Sequence, residues 1–316
     1  MNILKKFILL LPCVVLGFTA NSQNSIHSDR RFILRDEGLS QLSYVDLADP
    51  AKNWFVAVPP GRDLQLTGHG RILIGTGSGY EEREIATGKK VNELTSFTGT
   101  LSARRLRNGN TMLAGLNWQS KQGMVLIEVD VSGNTKRLLH FPQFNYVRLV
   151  RETPTGTFLI NADSVVFESD AEGKILWRAI IKCKRQPHSW QALRMSNGQT
   201  IVSSGFAANF QIFAKDGSPV TSITGPEEVH SYFFSGFQIL TNGNYVVANW
   251  QGHGPTFGAS GVQLLEFSPD GKLAWSWKQD AAKYSSLQGV IVLDGLNPDL
   301  LHVEGANGSL VAVKSN

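Results

Sequence analysis

The feature that most constrains this chain is an internal repeat with a period of about 40 to 54 residues. Each unit reads as four short apolar strands, with a glycine turn after the first strand and another after the third. Asn-Gly and Asp-Gly pairs between alternating apolar segments are strong hairpin signals, because both residues tolerate the positive φ of tight turns. The first turns are His69-Gly70, Asn108-Gly109, Thr155-Gly156, Asn197-Gly198 and Asn242-Gly243. The second turns are Thr87-Gly88, Ser132-Gly133, Glu172-Gly173, Asp216-Gly217 and Asp270-Gly271.

This period predicts an all-β fold, a single β-propeller of about six four-stranded blades, because one such blade takes roughly 40 to 50 residues. Blades 1 to 5 occupy residues 63–97, 100–141, 146–180, 188–224 and 232–278. Two fragments remain: 41–59 matches the outer strands of a blade, and 285–316 supplies inner strands. We therefore expect the two fragments to pair in one closing blade. Seven blades is the alternative, if the fragments belong to separate blades.

Residues 1–22 have the layout of a secretory signal peptide. Lys5 and Lys6 precede an apolar run over 7–18, and Ala20-Asn21-Ser22 provides small residues for cleavage. The run is shorter than a membrane-spanning helix, and no other stretch is long enough. The sequence thus predicts export to the periplasm or the cell exterior, with residues 23–316 as the propeller domain. It predicts no membrane segment in the mature chain.

The composition excludes other classes of protein. The net charge is +4 and no dense basic run occurs, so we expect no nucleic-acid partner. Cys13 follows a proline, where lipid attachment requires a small residue, and Cys183 is then the one cysteine of the mature chain. The mature chain is therefore expected to be a monomer without a lipid or an internal disulfide. No cofactor and no metal are predicted, because the chain lacks the corresponding motifs.

Two stretches carry a resemblance to a known superfamily. One is Asn108-Gly109-Asn110-Thr111 followed by Glu128-Val129-Asp130 and Gly133, and the other is Glu266 followed by Asp270-Gly271-Lys272 and Trp275. Over residues 41–316 the chain resembles the quinoprotein-like and arylsulfotransferase-like β-propellers of bacteria. Quinone-dependent members have eight blades and an adjacent cysteine pair, which this chain lacks, so the resemblance does not extend to quinone binding. Arylsulfotransferases use a channel histidine as the sulfate acceptor, to which His188 and His230 can be compared.

Functional residues are expected on one face of the ring. The loops that enter the first strand of each blade and the loops that join strands two and three emerge on the same face. His188 and His230 stand at equivalent positions just before first strands. A neutral imidazole suits a general base or a metal ligand. The alternative is a histidine that is hydrogen-bonded to a loop carbonyl.

A repeated triplet supplies the other candidates. Asn-Trp-Gln occurs after the second strands of blades 2 and 5, which lie opposite each other in a six-bladed ring. Aromatic faces beside amide groups are typical of sites for sugars or flat rings. The predicted ligand-binding residues are Trp118, Gln119, Trp250, Gln251 and His253. Inheritance from one ancestral blade would explain the repetition equally well.

Together these patterns predict a secreted propeller that binds a carbohydrate or small polar ligand at one mouth of its channel. The alternative is an enzyme that uses channel histidines, namely a polysaccharide lyase, a glycoside-cleaving enzyme or an arylsulfotransferase-like enzyme. In that case His188 and His230 are the catalytic residues. The sequence leaves open whether the protein is an enzyme.

The export hypothesis makes a direct prediction. Mass spectrometry of exported protein should find an N-terminus near Gln23 and no lipid, because cleavage after Ser22 removes Cys13. An acylated Cys13, or an intact N-terminus on exported protein, would contradict it.

Overall fold

The computed structural model describes residues 29–313 and shows six four-stranded antiparallel sheets arranged as a propeller within that range. The all-β prediction and the count of six blades are confirmed. The predicted signal peptide, 1–22, lies outside the described residues. The helical content of the described chain is two 3-10 turns, Pro50–Lys52 and Trp118–Ser120. It contains no helix with the length and apolar character that crossing a membrane requires.

The strands follow the chain in order around the ring. The N-terminal strands are β1 (Arg31–Asp36), β2 (Gln41–Asp46) and β3 (Trp54–Ala57). Blade 1 comprises β4 (Leu64–Gly68), β5 (Arg71–Thr76), β6 (Gly79–Glu84) and β7 (Lys90–Leu94). Blade 2 comprises β8 (Thr100–Arg105), β9 (Thr111–Leu116), β10 (Met124–Val129) and β11 (Thr135–Phe141). Blade 3 comprises β12 (Val150–Glu152), β13 (Phe158–Ala162), β14 (Val165–Ser169) and β15 (Ile175–Ile180).

The remaining strands complete the ring. Blade 4 comprises β16 (Gln191–Arg194), β17 (Thr200–Ser203), β18 (Asn209–Phe213) and β19 (Pro219–Thr224). Blade 5 comprises β20 (Phe234–Ile239), β21 (Tyr245–Asn249), β22 (Leu264–Phe267) and β23 (Leu273–Trp277). The C-terminal strands are β24 (Leu287–Val292), β25 (His302–Glu304) and β26 (Leu310–Ala312).

The predicted glycine turns are confirmed in all five complete blades. The ten glycines of the two turn series have φ values between 65° and 91°, where a side chain would be strained. In each complete blade the pairing of strands three and four also shifts register beside the second turn. Such a bulge accompanies a longer hairpin loop that ends in a glycine with positive φ.

The closing blade joins both ends of the chain, in the strand order β24-β1-β2-β3. Ile33 faces Ile291 and Leu34 faces Val290 across the β1–β24 pair. The N-terminal contribution is therefore three strands from residue 31, not the two strands within 41–59 expected from the sequence. The first-turn signature that identified the other blades is absent here, because β24 and β1 are not consecutive in the chain.

The C-terminal hairpin, β25 with β26, lies outside this blade. The sequence led us to expect these segments among the inner strands, but β1 already occupies the outer edge of β24. Leu301 instead bridges to Thr67, and Ser309 bridges to Ile239. Thr67 and Ile239 lie at the C-terminal ends of the inner strands β4 and β20, so the hairpin crosses the far end of the channel.

The apolar core is divided among the six contacts between adjacent blades. Within residues 29–313, each contact contains its own cluster of buried side chains. Phe141 of blade 2 packs edge-to-face on Phe167 of blade 3, and Trp177 of blade 3 does the same with Phe213 of blade 4. Trp275 lies in the cluster between blade 5 and the closing blade. These fourth-strand tryptophans pack between blades.

Glutamine side chains also connect neighbouring inner strands. Gln65, Gln191 and Gln238 are buried, and each binds the backbone of the next inner strand in both directions. The carboxamide of Gln238 donates to the carbonyl of Val292 at 3.2 Å and accepts from its N–H at 2.8 Å. Gln191 binds Phe237, and Gln65 binds Arg105, in the same way. We call these contacts the glutamine brackets, and they fix the spacing of the strands around the channel.

Removing one bracket should weaken the ring. We expect Gln238→Ala to lower the free energy of unfolding by about 2–4 kcal/mol, because it leaves a buried N–H and a buried carbonyl of Val292 without partners. Gln143→Ala, at an exposed loop position, should change it by less than about 0.5 kcal/mol. Urea unfolding followed by fluorescence measures both changes. Equal midpoints for the two variants would contradict the structural role of the bracket.

Candidate functional site

The channel has a cavity of about 420 Å³ at the mouth where the entering loops and the loops between strands two and three meet. We call it the mouth cavity. Its wall takes residues from all six blades and from the segment before β4. A second space of about 40 Å³ lies between the mouth cavity and the C-terminal hairpin. The channel is thus a pocket with one wide opening.

One side of the mouth cavity is aromatic. Trp190, Phe206, Phe233 and Trp250 line it and meet edge-to-face, with Phe233 centred 5.1 Å from Trp250 and 4.8 Å from Phe206. Trp190 and Phe233 stand at the starts of inner strands, whereas Phe206 and Trp250 follow second strands. The two kinds of loop identified from the sequence therefore supply this wall together.

The side that adjoins Trp190 is cationic. Arg62 and Arg148 lie over the ring of Trp190, with guanidinium carbons 5.5 and 4.9 Å from its centroid. Arg62 donates to the Tyr146 hydroxyl at 3.0 Å. Burial and the positive charge of Arg62 lower the pKa of Arg148 to about 10, so Arg148 remains protonated at neutral pH.

A third arginine, Arg35, lines both channel spaces and is 1% exposed. Its position on β1 faces Gly289 on β24, where the missing side chain leaves room beside Arg35. The Arg35 Nη2 group donates to the carbonyl of Pro59 at 2.5 Å, while Nε and Nη1 have no partner in the described chain. Burial lowers the pKa of Arg35 to about 10.

The rim beside Trp250 carries a polar pair. Glu37, in the turn between β1 and β2, accepts from the indole N–H of Trp250 at 3.2 Å. Nδ1 of His253 lies 2.9 Å from the other carboxylate oxygen of Glu37. The His253 side chain is 82% exposed, so this pair stands at the entrance of the cavity.

His188 lines the mouth cavity between the aromatic wall and Arg148. Its Nδ1 lies 3.3 Å from the carbonyl of Gln186, and its ring meets Phe206 edge-to-face. If Nδ1 donates to that carbonyl, Nε2 is left as a free acceptor. Burial and the charge of Arg148 lower the pKa of His188, which keeps the imidazole neutral at physiological pH.

The structure brings three of the seven predicted site residues together: His188, Trp250 and His253 line the mouth cavity. The other four, Trp118, Gln119, His230 and Gln251, are not among its lining residues. His230 is exposed, and its carbonyl accepts from the side chain of Asn249. The Gln251 side chain donates to the carbonyl of Asn249 within its own loop. Gln119 is exposed in the loop between β9 and β10.

The two Asn-Trp-Gln triplets have different conformations. Asn249 ends β21, and its side chain binds the N–H groups of Tyr232 and Phe233, which directs the following Trp250 into the aromatic wall. Asn117 is left-handed, with φ of 56°, and Trp118 folds against Gly115 with its indole N–H on the carbonyl of Thr98. Identical sequences thus lead to different placements, because the loops that follow differ in length.

The arginines of the mouth were not identified from the sequence. Arg62 and Arg148 lie in the loops that enter blades 1 and 3, the same kind of loop that contains His188. Comparing those loops for charge as well as for histidine would have found them. Arg35 could not be found by this comparison. It lies on β1, and the closing blade lacks the first-turn signature that marked the inner strands of the other blades.

At the far end of the channel, two arginines and two carboxylates form a buried ion network. Arg151 binds Asp63 at 3.0 Å and Glu304 of the C-terminal hairpin at 3.0 Å. Arg104 binds Glu304 at 2.6 Å and lies 3.5 Å from Asp63. Burial alone would raise the pKa of Glu304, but the charges of Arg104 and Arg151 outweigh it and lower that pKa. This network holds the hairpin against blades 1 to 3.

Comparison with known proteins identifies the class of fold. No family model and no curated protein sequence matches the chain. A protein of unknown function from Bacteroides caccae is similar in structure, with a TM-score of 0.66, 21% identity and coverage of 84% of this chain and 99% of that one. At these identities, likeness to solved structures establishes the fold alone, that of a β-propeller.

Two further similar structures belong to proteins with a named activity. The calcium-binding protein regucalcin from Agrobacterium tumefaciens has a TM-score of 0.56 and 14% identity, over 83% of this chain and 90% of its own. A streptogramin B lyase has a TM-score of 0.55 and 11% identity, over 90% of this chain and 92% of its own. Between residues 29 and 313, no three His, Cys, Asp or Glu side chains group in a way that would hold a metal ion. Membership of the quinoprotein-like and arylsulfotransferase-like group stays a prediction.

The ion network predicts an acid-dependent stability. We expect Glu304→Gln to lower the free energy of unfolding at pH 7 by about 3 kcal/mol, because it leaves excess buried positive charge. The lowered pKa means that Glu304 stabilises the fold fully above the ordinary glutamate value of about 4.3 and loses this effect as the pH falls through the folded-state value. The gap between wild type and variant should therefore narrow below about pH 4. Urea titrations between pH 3 and pH 7 measure it, and a gap independent of pH would contradict the assignment.

Proposed function

We propose that the protein binds a small polar ligand, a carbohydrate in the first instance, in the mouth cavity. The observation that supports this is the cavity itself, which holds about 420 Å³ and combines an aromatic wall with convergent polar groups. Small-molecule sites in proteins commonly have that composition and a volume of roughly 300–1,000 Å³. Beyond the cavity the channel narrows, and the C-terminal hairpin crosses its far end. This arrangement favours binding of a ligand over its passage through the channel.

The proposed setting is outside the cytoplasm. The charged and apolar pattern of residues 1–22 supports export by a signal peptide. A fold stabilised by blade packing and glutamine brackets does not depend on a disulfide, which suits a chain with Cys183 as its sole cysteine after cleavage.

An enzyme that uses a histidine is the second candidate, and one observation favours it. His188 is a neutral imidazole in the cavity wall, and Arg148 lies close enough to lower its pKa. Such a group can accept a proton from a bound substrate. In this case the base is His188 alone, because His230 is exposed and does not line the cavity.

The binding proposal is tested with a panel of neutral and acidic mono- to trisaccharides, using calorimetry on the protein without its signal peptide. We expect at least one saccharide to bind, and Trp250→Ala to weaken it about tenfold or more, because an aromatic contact is lost from the wall. Trp118→Ala is the matched variant, since it changes the same triplet at a position outside the cavity. Thermal unfolding of both variants checks that the fold is retained.

The outcomes separate the candidates. If no saccharide binds, or if Trp118→Ala weakens binding as much as Trp250→Ala, the proposed site is incorrect. If a bound saccharide is also cleaved, His188→Ala should abolish turnover while leaving the dissociation constant within a few-fold. A pure binding protein would show no product with any variant.

A further inference from the structure

The arrangement of charge in the mouth cavity restricts the kind of ligand it accepts. Three guanidinium groups, those of Arg35, Arg62 and Arg148, line one cavity, and none forms an ion pair with a carboxylate in the described chain. The Arg62 guanidinium donates to neutral oxygens only, and the Arg148 guanidinium has no hydrogen-bond partner there. Buried or half-buried cations without counter-ions are costly to a fold.

The two acidic groups of the cavity wall are already engaged elsewhere. The carboxylate of Asp36 accepts from the backbone N–H groups of Leu39, Ser285 and Ser286, at 2.6 to 3.0 Å. Glu37 is bound at the rim by Trp250 and His253. Asp163 attracts Arg148 without an ion-pair contact. The guanidinium groups of the arginine side are therefore not bound by any carboxylate of the described chain.

Arg35 supplies the clearest pointer to a ligand. It is 1% exposed, it lines the cavity, and its Nε and Nη1 groups are donors without acceptors. Among acidic groups, Glu81 has the largest electrostatic effect on Arg35, and Glu81 is itself paired with Arg83 at 2.7 Å. Both donors are buried, so Arg35 adds a charge without a counter-ion to the cavity wall. A guanidinium in such a wall is suited to a planar or tetrahedral oxyanion.

We propose that the mouth cavity recognises an anionic sugar, whose carboxylate or sulfate group is bound by Arg35, Arg62 and Arg148. This inference rests on the proposed function and names the ligand class of the same site. The ring of the sugar would lie against Phe233 and Trp250, and a hydroxyl near the entrance would donate to Glu37. Acidic sugars combine these three features, whereas neutral sugars leave the arginines without a partner.

The test compares sugars that share a ring and differ at C6, where the group is neutral or anionic. Calorimetry at low ionic strength measures D-glucuronate and D-galacturonate against D-glucose and D-galactose, with D-glucose 6-sulfate and inorganic sulfate as further probes. We expect a uronate or the sugar sulfate to bind at least tenfold more tightly than the neutral sugar of the same ring. The preference should decline as salt rises, because screening weakens the charge interaction.

Variants test whether the arginines cause the preference for anionic over neutral sugars. Arg148→Gln should weaken the anionic sugar roughly 10- to 150-fold while changing a neutral sugar within about twofold, since it removes charged hydrogen bonds to the anion. Arg148→Lys should retain part of the preference. Arg178→Gln, on the exposed outer strand β15, is the control and should bind like wild type. If Arg148→Gln does not fold, Arg62→Gln gives the same measurement.

Each result decides a different claim. Neutral and acidic sugars that bind equally, or a loss of both with Arg148→Gln, would overturn the anion assignment and leave the carbohydrate site in place. Inorganic sulfate that binds through Arg148, with no sugar bound, would keep the anion site and overturn the carbohydrate proposal. A failure of every probe to bind would overturn both. Uronate binding without glucose 6-sulfate binding, or the reverse, identifies the anionic group.

Discussion

Backbone pairing between β24 and β1 closes the ring, and the functional site depends on the same pair. β1 and the turn after it carry Arg35, Asp36 and Glu37, which all line the mouth cavity. The β1–β24 register shifts between Arg35 and Asp36, and a bulge of this kind redirects side chains. The carboxylate of Asp36 then binds the N–H groups of Ser285 and Ser286, just before β24. The contacts that join the two ends of the chain therefore also position Arg35 and the two acidic residues of the site.

Hydrogen bonds and ion pairs between blades supply directional contacts that the apolar core lacks. Clusters of buried side chains between blades provide non-directional stability, which alone would allow neighbouring blades to slide. The glutamine brackets fix the register of adjacent inner strands. Farther out, Glu82 of blade 1 binds Arg105 of blade 2, and Glu168 of blade 3 binds Arg194 of blade 4. With register and spacing set in this way, the ring holds a channel of defined width without a covalent link.

The repeat could be predicted because its signals are local, whereas the site depends on contacts between distant segments. Gly109 and Gly133 mark turns through their own backbone conformation, so the sequence around each is enough to identify the hairpin. The two Asn-Trp-Gln triplets are identical locally, yet only Trp250 reaches the cavity, since Asn249 binds residues 16 and 17 positions away in the chain. Arg35 was not predictable for the same reason, because its place in the channel depends on pairing with Gly289.

The arginines at the two ends of the channel differ in their ion-pair partners. At the far end, Arg104 and Arg151 are matched by Asp63 and Glu304, and this balanced network fastens the hairpin that crosses the channel. At the mouth, three arginines meet in one cavity and form no such ion pair with the described chain. Packing alone does not require an arginine at position 35. An apolar side chain of similar volume would fill the space without the cost of a buried charge. The fold already shows how it pairs such charges where they serve structure, so the unpaired set at the open end is best explained by an anion that comes from outside.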